Sequence, residues 1–185
     1  MHVLALIGSP RKGGNTDIMA DEVLRGAHDN GAATSKIYLD DHRVRPIGEV
    51  RNNSREREDS RRDDDFPRLL EQFLEADVIV WATPVYWHGV CGQMKCFLDR
   101  MSCYFNVPPH TGRFNGKAHI IVCAFGSPDA DHGEWVTRPM KGCIEYLRGR
   151  YLGDACASVY EKGEVRNMPD IMTACYRLGQ DATRT

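Results

Sequence analysis

The sequence predicts an α/β protein built on one doubly wound parallel sheet. Apolar segments that suit buried strands alternate with amphipathic segments that suit helices along the whole chain. Two of the apolar segments run into loops that combine glycine or proline with hydroxyl or aromatic side chains. Because parallel strands need crossover connections, usually helical, this alternation favours a sheet with helices on both faces.

Five strands and five helices are expected. The first strand is continuously apolar, as burial on both faces requires, while Gly31 marks the end of the first helix and Pro67 the start of the second. The predicted order is strand 3–7, helix 15–29, strand 34–39, a charged loop insertion at 44–66, helix 67–75, strand 78–83, helix 90–104, strand 118–124, helix 133–149, strand 155–160 and helix 169–179.

The loop at residues 8–16 has the composition of a phosphate-binding site. Its glycines allow a tight turn and a close approach of the backbone to a ligand. Ser9, Asn15 and Thr16 supply short polar side chains, and Arg11 supplies a planar guanidinium. The unpaired N–H groups at the start of the next helix favour an anion at the same place. The sequence therefore predicts a phosphate site here.

Three common phosphate loops do not match this segment. Gly14-Asn15 stands where a Walker loop needs lysine followed by serine or threonine, and no G-x-G-x-x-G motif occurs. Residues 1–90 also lack the cysteine that a small protein phosphatase needs. The alternative is a structural turn in which Asn15 or Thr16 caps the helix.

A second loop, at residues 83–89, follows the strand predicted at 78–83. Pro84 makes it rigid, while Tyr86 and Trp87 offer flat apolar surface. Ligands of open parallel sheets bind at the carboxyl ends of strands, where both loops are expected. The combination suits a flat ring system that bears a phosphate. Alternatively, the two aromatic side chains pack against the sheet.

Five segments together carry a family resemblance. They are 8–16 (GSPRKGGNT), 83–87 (TPVYW), 93–100 (QMKCFLDR), 123–128 (CAFGSP) and 160–165 (YEKGEV). In this order they resemble the NAD(P)H-dependent FMN reductases of flavodoxin-like fold, whose strand order is 2-1-3-4-5. The resemblance implies that FMN binds through Ser9, Arg11, Asn15 and Thr16 at its phosphate and through Pro84, Val85, Tyr86, Trp87, Gly126 and Ser127 beside its ring.

The same resemblance implies an oxidoreductase that takes a hydride from NADPH or NADH. The electrons pass to a small molecule such as a quinone, a nitro- or azo-aromatic compound, or free flavin, and no catalytic side chain is required. Two other classes stay open. One is a flavodoxin-type electron carrier, against which the near-neutral charge argues, and the other is a non-catalytic FMN-binding sensor.

One segment departs from a related branch, the iron–sulfur flavoproteins, which carry a compact cysteine cluster after the second strand. Residues 44–65 occupy that position and contain no cysteine, so we expect FMN without a metal. Within this segment, residues 49–65 hold five arginines and seven acidic residues. Such a mixture predicts a solvated loop rather than a nucleic-acid patch.

Composition limits the remaining possibilities. A net charge of −2 gives no basic field for nucleic acid. No export leader or membrane span is recognisable, so we expect one cytoplasmic domain spanning residues 1–185. The seven cysteines are dispersed without a C-x-x-C motif, which predicts reduced and mostly buried thiols. His88 is expected to be a surface or packing residue.

Assembly into a homodimer or homotetramer is also expected. The helix at 90–104 is followed by the apolar and aromatic stretch YFNVPP at 104–109. A large exposed apolar patch usually marks an interface, and the resemblance implies a subunit boundary beside the flavin. The alternative is that residues 104–109 fold back onto their own domain.

Overall fold

Five parallel strands and one short antiparallel strand form the sheet in the computed structural model, which describes residues 1–48, 59–127 and 132–184. The strands are β1 (His2–Ile7), β2 (Ala33–Tyr38), β3 (Val78–Tyr86), β4 (Gly89–Val90), β5 (Ala118–Phe125) and β6 (Arg150–Ser158). The long strands pair in the order β2-β1-β3-β5-β6, and β4 pairs with the end of β3. The predicted order of the five long strands is confirmed, with β4 as an addition.

Helices cover both faces of this sheet, as predicted. They are α1 (Asn15–Asp29), α2 (Phe66–Glu75), α3 (Gly92–Met101), α4 (Glu134–Tyr146) and α5 (Pro169–Ala182), with short 3₁₀ helices at Leu39–Asp41 and Glu164–Asn167. One core cluster joins the sheet to α1 and α5, and the other joins it to α2, α3 and α4. In the described ranges, no helix has the length and apolar character that crossing a bilayer requires.

The last strand starts earlier than predicted. β6 begins at Arg150 instead of residue 155, and α4 ends at Tyr146 instead of residue 149. Arg148 adopts a left-handed conformation (φ 56°), which ends the helical path. β6 is an edge strand with polar and glycine positions, so it lacks the continuous apolar pattern of the central strands.

Helices α1 and α5 pack with their backbones in direct proximity. A Cβ atom built on Gly26 would overlap the carbonyl oxygen of Tyr176, and one built on Gly179 would overlap the carbonyl oxygen of Val23. Only glycine fits at these two crossing points. This contact joins the first helix of the chain to the last.

The described end of the charged segment is solvated only in part: residues 60–63 are exposed, as expected, but the expectation is wrong for Asp59 and Asp64. Asp59 and Asp64 fold inward onto Arg100 of α3, whose side chain is fully buried. Arg100 donates to Asp64 at 2.7 Å, and the hydroxyl of Tyr104 donates to Asp59 at 2.9 Å. A buried guanidinium needs such carboxylates as partners. Residues 49–58 lie outside the described ranges.

The aromatic stretch after α3 also differs from the expectation of an exposed patch. Phe105 is buried and packs against Phe114 and Tyr146, and Tyr104 packs against Phe66. These two rings fold back onto their own chain, as the alternative supposed. The expected assembly therefore has to rest on other surfaces.

Candidate functional site

A cleft of about 320 Å³ opens at the carboxyl ends of β1, β3, β5 and β6. It lies where the strand order reverses between β1 and β3, which is the usual ligand position in this architecture. Eight of the ten predicted site residues line it: Ser9, Arg11, Asn15, Thr16, Pro84, Val85, Tyr86 and Gly126. Loops far apart in sequence thus meet around one cavity.

The two other predicted residues, Trp87 and Ser127, line a neighbouring recess of about 260 Å³. The cleft and the recess share Val85, Phe125 and Gly126. Trp87 is 98% exposed, so it packs against neither the sheet nor the cleft floor. The ring of His88, which also lines the recess, lies 5.3 Å from that of His132 and 5.4 Å from that of Trp135.

Backbone hydrogen bonds fix the phosphate-loop candidate at residues 8–16. The N–H of Gly8 donates to the carbonyl of Ala82 at 2.8 Å, which ties the loop to β3. Gly13 takes a left-handed conformation (φ 69°), and its N–H donates to the Asp17 carboxylate at 2.6 Å. Gly14 is the N-cap of α1 and offers no side chain to the first turn. Asn15 and Thr16 are therefore not caps, and the first-turn N–H groups lie beside the cleft.

Asp17 anchors this loop from below. Its buried carboxylate accepts hydrogen bonds from Lys36 at 2.7 Å and from the Tyr38 hydroxyl at 3.1 Å. Burial alone lowers the pKa of Lys36, but the hydrogen bonds to Asp17 and Asp21 outweigh burial and raise that pKa above its usual value. The lysine therefore stays charged and holds the Asp17 side chain at the foot of the loop through its hydrogen bond.

The side chain of Asn15 connects the loop to the segment that follows β6. Its Nδ2 donates to the carbonyl of Glu161 at 2.8 Å, and its Oδ1 accepts from the N–H of Val165 at 3.2 Å. These contacts hold Lys162 at the cleft, where its Cε lies 3.8 Å from a Cβ built on Gly13. The predicted set omitted Lys162, although it stands in the segment 160–165 that carried part of the resemblance.

Within the described chain, the charged side chains that line the cleft are Arg11 and Lys162. The neighbouring Lys12 does not line it, because its ammonium group binds Asp41 at 2.7 Å on the surface. Ser9 is buried, and its Oγ accepts the N–H of Arg11 at 3.2 Å. Two cations, a hydroxyl group and a helix N-terminus therefore converge, which is a suitable environment for a phosphate.

Aromatic side chains line the cleft away from these cations. Tyr86 is 47% exposed and stands at the tip of the β3–β4 hairpin, where Trp87 and His88 both have positive φ. Tyr160 lies against Gly126, since a Cβ on that glycine would come 3.1 Å from the tyrosine ring. Gly126 thus leaves room for Tyr160 beside the cleft. In the described ranges, no group of three or more potential ligands could hold a metal.

Comparison with known proteins gives consistent results. A family model described as NADPH-dependent FMN reductase matches residues 1–163. YwqN of Bacillus subtilis (strain 168), named as an NAD(P)H-dependent FMN-containing oxidoreductase, is 31% identical over 181 residues, which are 96% of each chain. An iron-sulfur flavoprotein of Archaeoglobus fulgidus is 30% identical over 143 residues, which are 76% of this chain and 63% of that protein.

Among solved structures, the Trp repressor binding protein from Bacillus subtilis superposes with a TM-score of 0.74. The match covers 96% of this chain and 98% of that chain at 21% sequence identity. At this identity the likeness concerns the fold alone.

Proposed function

Because the chain belongs to the NADPH-dependent FMN reductase family, we propose that its cleft binds FMN and that the protein uses NAD(P)H to reduce a small aromatic acceptor. The observation that carries this proposal is that Arg11 and Lys162 line the same cleft as Tyr86 and Tyr160. Cations suit a phosphate and aromatic side chains suit a flat ring.

The residues of the cleft form two groups, one that suits the phosphate of FMN and one that suits its ring. Arg11, Lys162, the Ser9 hydroxyl, Thr16 and the first-turn N–H groups of α1 would hold the phosphate. Asn15 would act mainly by keeping the Lys162 segment in place, since its side-chain amide bonds to that segment. Pro84, Val85, Tyr86 and Gly126 would flank the ring. When bound, FMN supplies the chemistry of hydride and electron transfer. The chain's own task is to position NAD(P)H and the acceptor and to limit the access of water.

The recess beside the cleft supports a second binding place. It shares Val85, Phe125 and Gly126 with the cleft and is bordered by Trp87 and Ser127. We propose that the nicotinamide and the acceptor use this recess in turn. Flat acceptors such as quinones, nitro- or azo-aromatics, or free flavin would suit its aromatic border. An electron carrier or a sensor would have no need for such a recess.

Assembly into a dimer or tetramer remains part of this proposal, on a different surface from residues 104–109. Trp87 is 98% exposed and Trp135 is 56% exposed, and both lie near His88 at the recess. Large exposed aromatic side chains suit a subunit interface. Sedimentation at micromolar concentration tests this: we expect at least a dimer, and a fully active monomer would contradict it. A cytoplasmic location also stays a prediction from the sequence.

Cofactor identification is the first experiment. Acid extraction of the purified protein followed by mass measurement should release FMN, and iron and sulfide assays should find neither in stoichiometric amount. Recovery of FAD or of an iron–sulfur cluster would overturn the assignment.

Steady-state oxidation is the second experiment. NADH and NADPH oxidation should be measured with the FMN-loaded protein and a quinone, a nitroaromatic and an azo dye. Turnover with at least one acceptor is expected. FMN binding without any NAD(P)H oxidation would instead favour an electron carrier or a sensor.

A further inference from the structure

Two cysteines on neighbouring strands place their sulfur atoms in contact. Cys123 of β5 and Cys156 of β6 are register partners, and their Sγ atoms are 2.9 Å apart. Bridged cysteines usually have Cα atoms about 4.4–6.8 Å apart, which includes the roughly 4.8 Å spacing of adjacent strands. From this placement we propose that Cys123 and Cys156 are a site of oxidative modification and form a reversible disulfide.

The sulfur separation favours a disulfide over a shared metal ion. A covalent S–S bond is about 2.0 Å long, so the two atoms need to approach by only about 1 Å. Two thiolates on one tetrahedral zinc ion, with Zn–S bonds of about 2.3 Å, would lie about 3.8 Å apart. The observed 2.9 Å is therefore too short for a common metal.

The two thiols differ in their surroundings, which sets the order of reaction. Cys123 is buried, whereas Cys156 is partly exposed on the edge strand β6. The Cys156 thiol donates a hydrogen bond to the Asp154 carboxylate, which lies 3.9 Å from the sulfur. Because an oxidant in solvent reaches the partly exposed sulfur more readily than the buried one, Cys156 reacts first and Cys123 then resolves the product.

Hydrogen peroxide is a sufficient oxidant. The Cys156 sulfur, after losing its proton, attacks one peroxide oxygen; the O–O bond breaks, the departing hydroxide takes up a proton as water, and a sulfenic acid remains. The deprotonated Cys123 sulfur then attacks the Cys156 sulfur, the S–O bond breaks, and a second water leaves. The two thiols lose two protons and two electrons, and the peroxide becomes two waters.

The position of the pair links it to the cleft. Cys123 directly precedes the cleft-lining residues at 124–126, and Val159 and Tyr160, which directly follow β6, line the same cleft. The last residue of β6 is already joined to the segment after β5, because the Ser158 hydroxyl donates to the carbonyl of Ser127 at 2.6 Å. A Cys123–Cys156 disulfide would therefore cross-link the two strands directly beneath the cleft.

Peptide mapping of the peroxide-treated protein tests the proposal without any substitution. The protein as purified, with its bound cofactor, is treated with hydrogen peroxide, quenched with catalase, denatured and blocked with N-ethylmaleimide. Trypsin gives peptides 118–141 and 151–162, each with a single cysteine, so their cross-link is unambiguous. We expect this linked peptide, a mass loss of about 2 Da before blocking, and its reversal by dithiothreitol.

Two variants test which cysteines form the disulfide and which of them resolves the sulfenic acid. Cys143→Ser removes the exposed thiol of α4 and should leave the linked peptide unchanged. Cys123→Ser should let Cys156 proceed to sulfinic acid, because the resolving thiol is gone. The proposal is overturned if wild-type Cys156 accumulates sulfinic acid while Cys123 still takes up maleimide. It is also overturned if peroxide modifies Cys143 while Cys123 and Cys156 both remain thiols.

Discussion

The guanidinium of Arg100 donates to the Asp64 carboxylate at 2.7 Å, and both side chains are completely buried. Replacing Arg100 with methionine removes the cation that the buried carboxylates of Asp59 and Asp64 share. We expect the free energy of unfolding to fall by about 3–5 kcal/mol, because an uncompensated buried charge is costly. Urea unfolding measures this change.

A matched control lies on the same helix. Lys95 forms an exposed ion pair with Asp99, so Lys95→Met should cost no more than about 1 kcal/mol. Equal losses for Arg100→Met and Lys95→Met would show that the buried cluster adds no stability beyond a surface pair.

Arg11→Ala should weaken FMN binding selectively. The loss of a hydrogen bond to a charged phosphate is worth about 1.5–3 kcal/mol, which corresponds to roughly a tenfold to hundredfold rise in Kd. Riboflavin lacks the phosphate and should bind almost unchanged. Lys12→Ala is the matched control, since Lys12 pairs with Asp41 outside the cleft. Calorimetric titration with FMN and with riboflavin measures the two affinities. An equal loss of affinity for riboflavin would mean that Arg11 supports the structure of the loop and does not bind the phosphate.

Lys162→Met keeps the aliphatic stem of this side chain and removes its charge. We expect FMN affinity to fall by about tenfold with little change for riboflavin, because a second cation leaves the phosphate site. Fluorescence titration with Lys95→Met as the reference measures the effect. Unchanged FMN affinity would remove Lys162 from the proposed site and leave it as part of the cleft wall.

Gly179→Ala should destabilise the contact between α1 and α5. The added Cβ would overlap the backbone carbonyl of Val23, and forcing such overpacking typically costs about 1–3 kcal/mol. Gly142→Ala is the control, because it lies in α4 with open space around its Cβ position. That change should stabilise the helix by up to about 1 kcal/mol. Thermal unfolding of the two variants should therefore shift in opposite directions, and equal shifts would contradict the close approach of α1 and α5.

His119 should make the fold sensitive to mild acid. It is fully buried, its Nδ1 accepts the Trp81 indole N–H at 3.0 Å, and burial and then Lys117 lower its pKa to about 4. Since its unfolded pKa is about 6.5, the unfolded chain binds the extra proton first. Stability from this group is complete above about pH 6.5 and declines as the pH falls toward 4.

Comparison with His119→Gln isolates this effect. Between pH 7 and pH 5, wild type should lose about 2 kcal/mol more than the variant, which keeps an acceptor for Trp81. Denaturant unfolding at the two pH values measures the difference. Parallel pH dependence in the two proteins would contradict a neutral buried His119.

Much of the fold and of the cleft could be predicted from the residue pattern of short segments. The strands at 3–7, 78–83 and 118–124 are apolar because helices bury both of their faces, so their pattern stands out in the sequence. The loops at 8–16 and 83–87 have unusual composition because they turn sharply at the end of such strands. Strand order then follows from the crossover rules, and the two loops meet at the switch point.

Features that depend on distant partners could not be read in the same way. The charged run looks solvated, and only the position of Arg100 on an inward-facing part of α3 shows why Asp59 and Asp64 turn inward. Lys162 resembles any surface lysine until Asn15 fixes its segment at the cleft. Edge strand β6 carries a weak pattern because, in the part of the chain that the structure describes, only β5 pairs with it.

The hydrogen bonds of Asn15 to the segment after β6 also have a consequence for biosynthesis. Asn15 and Val165 are 150 residues apart, so α1 leaves the ribosome long before its partner segment exists. A nascent chain that ends before residue 161 carries the candidate phosphate loop but neither Lys162 nor the backbone groups that Asn15 binds. At the proposed site, FMN would therefore be bound only after the segment that follows β6 has been synthesised and has met the candidate phosphate loop.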